Sequence, residues 1–260
     1  MHRSLSYIDP QAKLAKNVVV EPFVTIEKNV EIGSGTWIGS NVTIMEGARI
    51  GENCEIFPGA VISAIPQDLK FEGEESLAII GDNTIIRECA TINRATKATG
   101  KTIVGKNCLI MAYAHIAHDC VIGNNAIVVN NVAMGGHVEI GEHAIIGGLT
   151  AVHQFIKIGK HCMVSGGSLV RKDIPPYVKA GREPLSFIGI NSIGLRRKKF
   201  SESEITEIQD IYRILYQKGN NNTQAINKIE IDFKISEIRD EIISFVRSSG
   251  RGIMRGYNQK

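Results

Sequence analysis

The residues of this 260-residue chain best suited to chemistry lie between positions 115 and 154: His115, His118, Asp119, Gly136, His137, His153 and Gln154. An imidazole can take up and return a proton near neutral pH, and a carboxylate beside it can orient the ring. His118 precedes Gly136, Asp119 precedes His137, and Gly136 precedes Gln154 by the same interval of eighteen residues. If eighteen residues complete one turn of a repeating structure, these side chains gather along one side of it. A glycine there lets a substrate approach the backbone N–H, the ingredient of an oxyanion hole. Three imidazoles with an open coordination position offer a second chemistry, a zinc site. Against zinc, the strip carries an Asp, a Gln and a nearby Gly run that metal binding does not require. His143 and His161 share a different position, where a solvated surface histidine is the plain expectation.

The element that positions these residues announces itself as a period of six. From Ile8 to Val170, every sixth residue is Ile, Leu, Val or Met except Asp68, Glu74 and Ala98. Four residues after each aliphatic stands a small or β-branched side chain, such as Val24, Thr36, Ala60 or Ala126, and one residue after it Gly is common. Neither helical nor simple strand periodicity repeats at six, whereas each hexad of a parallel β-helix supplies a short strand and a corner. Cys54, Cys108, Cys120 and Cys162 fall at the small position, where a thiol packs as a small hydrophobe. At roughly 4.8 Å per coil, the hexads build about nine coils and about 43 Å of prism. Residues 63–79 and 93–103 leave the pattern but keep its register, and are expected to be loops that carry function.

Composition removes several classes. The formal net charge is +3, from 30 Lys and Arg against 27 Asp and Glu, so neither a nucleic-acid coat nor an acidic tail describes the chain. No apolar run reaches the roughly 20 residues of a membrane span, and the N-terminus lacks a secretory h-region. Five cysteines without CxxC spacing suit a reducing compartment. A cytoplasmic protein without an integral membrane segment is expected.

Hexads of this kind resemble those of the hexapeptide-repeat acyltransferases, whose coils wind left-handed into a triangular prism. The segments HIAHDC (115–120), GGHV (135–138), GGLTAVHQF (147–155) and PQDLKF (66–71) narrow the likeness, and DIPPYVKAGREP and GLRRKKF continue it. Together they resemble the UDP-N-acetylglucosamine O-acyltransferase family of lipid A biosynthesis. The resemblance implies a mainly β chain: a left-handed parallel β-helix of hexapeptide repeats over 1–190 and a C-terminal α-helical domain over 191–260. It implies transfer of a (3R)-3-hydroxyacyl group from acyl carrier protein to the 3-hydroxyl of UDP-N-acetylglucosamine, by a homotrimer with its sites between prisms and without metal or cofactor.

By the same resemblance His118 is the general base, Asp119 orients it and the Gly136 amide stabilises the oxyanion. Gln67, Asp68 and Lys70 reach toward sugar and acyl donor, and His115, His137, His153 and Gln154 line the substrate. Asn191 and Arg197 hold the nucleotide. Gly166, stacked on Gly148, leaves room for a longer acyl chain. Three positions depart from the family pattern: Ile193 and Lys198 at the nucleotide end, and Tyr113 before the first histidine.

Paired prolines at 175 and 176 mark the expected end of the hexads. Residues 171–200 are strongly basic, and Arg196, Arg197, Lys198 and Lys199 form a run that suits an acidic carrier protein. Ser201 and Glu204 have capping-box spacing before a helix bearing Ile205, Ile208, Tyr212 and Leu215. A second helix is expected near Thr223 to Ile231, and a third with Ile235, Ile238, Ile242 and Phe245 on one face. These helices are expected to cover the open end of the solenoid. A related N-acyltransferase is the alternative enzyme, expected to carry a further domain before its hexads, which here begin at Ile8. A non-catalytic β-helix would show an outward ladder of Thr instead of histidines.

Overall fold

A computed structural model describes residues 5–217 and 219–256; the first four residues of the segment weighed as a leader lie outside them. Each coil contributes one short strand to each of three parallel sheets of nine, eight and eleven strands. In Thr25–Ile26, Thr43–Ile44 and their successors the first residue points out and the second in, as strand alternation requires. Ile26, Ile44, Ile62, Ile92 and Ile116 therefore form one fully buried ladder, each side chain contributing about 1.5–3 kcal/mol by burial. Val24, Val42, Ala60, Ala90 and Ala114 fill the corners, because only a small or β-branched side chain fits where two sheets meet. The four hexad cysteines are buried there with free thiols, and burial pushes Cys120 and Cys162 up to about 12.

At most corners the third residue after the aliphatic turns the chain with positive φ. Seven of these turns use Asn, the cheapest non-glycine residue in that region.

Two expectations about the insertions are corrected. Strands Val61–Ala64 and Leu77–Ile80 shorten the first loop to 65–76, and Thr91–Asn93 and Lys101–Val104 shorten the second to 94–100. The trimmed residues pair across coils, Ala78 with Thr102 and Ile79 with Ile103, because register survives insertions that are whole multiples of a hexad.

The prolines do not end the prism. Ile174 bridges Ile158, and Val178–Gly181 continues the third sheet beside Met163–Val164. Ser186–Ile190 then folds back antiparallel and receives Arg255–Gly256. Over this hairpin lie helices α1 (Ser192–Arg197), α2 (Glu202–Gln217), α3 (Asn222–Asp232) and α4 (Glu237–Ser248). The capping box forms: the Glu204 N–H donates to Ser201 Oγ at 3.2 Å and the Ser201 N–H to Glu204 Oε2 at 2.7 Å. Phe187 of the hairpin stacks on Tyr212 and Tyr216 of α2, so α2 seals the end of the solenoid. Ile235 lies before α4 and is exposed; the helix begins after Ser236, whose hydroxyl caps it, and buries Ile238, Ile242, Ile243 and Val246.

Candidate active site

Chain order places the chemistry at the corner where the first sheet passes to the second. The 65–76 loop leaves from this corner in one coil and the 94–100 loop in the next. His118 and Asp119, Gly136 and His137, and Gln154 and Phe155 follow at the same corner in the three coils after that. Asp119, His137 and Phe155 occupy the turn position with positive φ, at 62°, 61° and 64°. Bulky residues held in that conformation cluster at functional sites.

Asp119 turns its carboxylate into the corner, where the side chain is fully buried. Oδ2 accepts from His118 Nδ1 at 2.7 Å. That bond assigns the proton to Nδ1 and leaves the Nε2 lone pair free to act as base. Burial alone would push the Asp119 carboxyl up; hydrogen bonds from Thr99, His118 and Thr96 outweigh it and hold the group below the usual carboxylate range. Thr96 donates through its hydroxyl at 2.8 Å and through its N–H, Thr99 through its N–H at 3.2 Å and through its hydroxyl. His137 Nε2 stands 3.7 Å from the same carboxylate. Its ring meets His118 edge-on, with centroids 5.4 Å apart, and stacks on Phe155 at 4.5 Å. Arg251, from the segment after α4, covers the far face of this column at 5.8 Å from the Phe155 centroid.

Gly136 lies against the base. A Cβ there would fall 2.5 Å from His118 Cε1 and 2.7 Å from Nε2, so any side chain would displace the imidazole. His115 points outward from its strand and shares a 2.7 Å hydrogen bond with Thr91 Oγ1. Burial, with the charge of His118 adding to it, pushes His115 down. His153 is exposed, with Nδ1 3.1 Å from the Gln154 carbonyl.

His118, Asp119 and His137 place one ligand atom each within 4.8 Å of one another. A cation gathered there would have to compete with His118 and both threonines for the carboxylate.

The remaining expected site residues lie on the 65–76 loop, which leaves from this corner in an earlier coil, and at the other two corners. Gln67 and Lys70 are exposed on the 65–76 loop, and Asp68 Oδ1 accepts the Lys70 N–H at 3.0 Å. Asn191 caps α1 at the corner between the second and third sheets; its side chain accepts from the Gly194 N–H and donates to the His161 carbonyl at 2.9 Å. Arg197 is exposed in the last turn of α1, and Ile193 is exposed on the same helix. Of the basic run, Arg196 is paired with Glu202 through two bonds of 2.7 and 2.9 Å. Gly166 and Gly148 stack at the corner between the third and first sheets, where a Cβ on Gly166 would come 3.0 Å from the Gly148 carbonyl. One protomer thus brings His118, Asp119, Gly136 and His137 into contact and leaves the nucleotide and acyl-length candidates on its other two corners.

Sequence reasoning missed Thr96, Thr99 and Phe155. Phe155 carried a signal, an aromatic at a turn position that Asn usually fills, one coil beyond His137. The threonines carried only the T-x-x-T spacing of 96–99.

Residues 173–254 match the model of the second domain of UDP-N-acetylglucosamine O-acyltransferases, and residues 29–64 and 101–136 match the bacterial transferase hexapeptide repeat. An acyl-(acyl-carrier-protein)-UDP-N-acetylglucosamine O-acyltransferase of Chlorobaculum parvum is 56% identical over 201 residues, 76% of each chain. Its counterpart from Aquifex aeolicus is 57% identical over 196 residues, 75% of each chain. The crystal structure of a UDP-N-acetylglucosamine acyltransferase from Bacteroides fragilis superposes with a TM-score of 0.96 at 50% identity, covering 98% of this chain and all of that one. The prism is accordingly a left-handed parallel β-helix with C-terminal helices. Hexads and helical tail both match, and the chain belongs to the UDP-N-acetylglucosamine O-acyltransferase family.

Proposed function

We propose that this chain transfers a (3R)-3-hydroxyacyl group from acyl carrier protein to the 3-hydroxyl of UDP-N-acetylglucosamine, the first step of lipid A biosynthesis. The observation that carries the mechanism is the His118–Asp119 bond at 2.7 Å, which leaves Nε2 free beside the Gly136 backbone. Nε2 takes the hydroxyl proton as the sugar oxygen attacks the thioester carbonyl carbon. The Gly136 N–H meets the oxyanion. When the tetrahedral intermediate collapses, the C–S bond breaks and the carrier thiolate recovers the proton from His118. An oxygen ester has formed, a thioester has been lost, and no acyl-enzyme, metal or cofactor takes part.

A homotrimer supplies what one protomer keeps apart. The outward residues of the second sheet include the charged Lys13, Glu31, Arg49, Glu139 and Lys157, with Ile79, Ile103 and Val121 in its middle coils. Those of the third sheet include Trp37, Glu55, Ile85, Leu109, Ile127, Ile145 and Met163, and those of the first include Thr91, Ala133 and Ala151. The charged coils of the second sheet suit water, and the apolar run of the third sheet suits a neighbouring prism. In such a trimer Gln67, Asp68, Lys70, Asn191 and Arg197 reach His115, His137, His153 and Gln154 across a protomer boundary, and Gly166 leaves the acyl groove open. The prism (1–190) supplies the chemistry. The helical part (191–260), with Arg197, Lys198 and Lys199, receives the acidic carrier protein, in the cytoplasm.

The test is single-turnover transfer from 3-hydroxymyristoyl carrier protein to UDP-N-acetylglucosamine under chelator. Wild type should transfer, and His118→Ala should lose about 10²–10⁴-fold in rate. Transfer only to the 3-amino analogue would favour an N-acyltransferase; a fully active variant would place the base elsewhere.

A further inference from the structure

Asp119 is a buried carboxylate whose ion-pair partners, among the described residues, are two imidazoles. Its charge is balanced mainly by neutral donors from one loop. Oδ1 receives the Thr99 hydroxyl and the N–H groups of Thr96 and Thr99; Oδ2 receives the Thr96 hydroxyl, the Thr96 N–H and His118 Nδ1. The Thr99 hydroxyl proton has a second acceptor in reach, the Lys101 carbonyl at 3.1 Å, but the carboxylate is nearer. The backbone of Asp119 is held from the same side, its N–H donating to Thr102 Oγ1 at 2.8 Å.

The loop that supplies these donors is itself fixed from the opposite side. Ser76 Oγ donates to the Ala95 carbonyl at 2.5 Å, the Lys97 N–H to Glu74 Oε1 at 2.9 Å, and the Arg94 guanidinium lies over the Phe71 ring. The 94–100 segment is therefore wedged between the 65–76 loop and the carboxylate.

We propose that Thr96 and Thr99 are positioning residues for the transfer reaction, holding Asp119 so that its Oδ2 can only accept from His118 Nδ1. The proposal rests on His118 being the base. A protonated Asp119 could donate to Nδ1 and move the imidazole proton to Nε2, which abolishes the base. Four threonine donors oppose this, because each of these hydrogen bonds stabilises the charged carboxylate more than a protonated carboxyl at the same buried site.

The test compares kcat, KM and the pH profile of the intact protein carrying Thr99→Val, Thr99→Ser or Thr96→Val with Thr99→Val, each also in an Asp119→Asn background. Thr99→Val should lower kcat about tenfold and the double variant about 10²-fold, with both KM values nearly unchanged. A carboxylate stripped of donors holds its proton to higher pH, so the acid-side loss of kcat should move upward. Thr99→Ser keeps the hydroxyl and should restore both kcat and profile. In the Asp119→Asn background the valines should cost little more, because the charge they serve is gone.

The proposal falls if the double variant keeps wild-type kcat and profile while His118→Ala loses transfer. It falls equally if valine and serine at 99 are impaired alike, or if the valines cost the same factor in the Asp119→Asn background as they do with Asp119 in place. Should the double variant not fold, the single Thr99 pair decides. Full activity in His118→Ala removes the base assignment itself, and the proposal with it.

Discussion

Gly136 shows how little room the base has. Its own φ lies outside the left-handed region, so alanine suits the backbone, yet the added Cβ would sit 2.5 Å from His118 Cε1. The ring is the softer partner and must rotate away from Asp119. Gly136→Ala should therefore fold with a melting temperature close to wild type and lose about 10²-fold in kcat, since a misplaced base forfeits much of its contribution. A crystal structure of the variant with His118 unmoved, together with wild-type kcat, would refute this account. The turn residues beside it carry a cost of their own. His137 and Phe155 adopt a conformation that disfavours bulky side chains by roughly 1–2 kcal/mol each, at a turn position that holds Asn seven times but also Phe23, Tyr113 and Leu149.

Among the elements, the two loops divide the work. The 94–100 loop faces Asp119, and the 65–76 loop presents Gln67, Asp68 and Lys70. Arg94 joins them: its guanidinium lies 5.5 Å from the Phe71 centroid and its Nη1 donates to the Glu46 carbonyl at 3.1 Å. Arg94→Ala should free the outer loop and spare the threonines that grip the carboxylate. The expected result is a KM for acyl carrier protein raised about tenfold, kcat nearly unchanged and an unshifted pH profile. Steady-state kinetics in which kcat falls and KM stays would contradict this division.

At the scale of the molecule, the prism and its helical tail meet around His161. Its ring stacks on His143 at 4.9 Å and on Tyr177 at 5.8 Å, and Phe200 meets it edge-on. Burial, reinforced by the neighbouring charges of His143, Lys160 and Lys198, pushes His161 down to about 4 from an ordinary 6.5. Burial also lowers His143. Between those two values the unfolded chain binds a proton that the folded chain refuses, so stability is complete above pH 6.5 and falls as the pH drops toward 4. Melting temperatures measured across this window should decline for wild type, and His161→Phe, which keeps the stack and removes the titration, should flatten the decline. An identical slope in the variant would assign the acid sensitivity to other groups. Lys160 and Glu241, paired at 2.6 Å, with the Tyr177 hydroxyl donating to the same carboxylate, tie α4 to this joint.

The six-residue period was legible because each inward slot of a narrow prism accepts only an aliphatic, and each corner only a small side chain, whatever lies outside. That constraint carried the coil length, and with it the approach of Asp119 to His137 and of Gly136 to His118. Helix α2 was legible from Ser201 and Glu204, a cap that acts within four residues. Other features depended on contacts that no period records. The continuation past Pro175 and Pro176 exists because Ile174 finds Ile158 one coil below, and Ile235 was counted with α4 because periodicity alone cannot see the Ser236 cap. The distribution of Asn191, Arg197 and Gly166 over separate corners follows from which sheet each turn joins. Thr96 and Thr99 reach Asp119 across 23 and 20 residues, through an inserted loop that interrupts the eighteen-residue arithmetic. Local side-chain size dictated the scaffold from sequence alone; the buried carboxylate's donors were chosen only when the loop folded back onto the corner, because a hydrogen bond depends on where atoms meet in space and not on their separation along the chain.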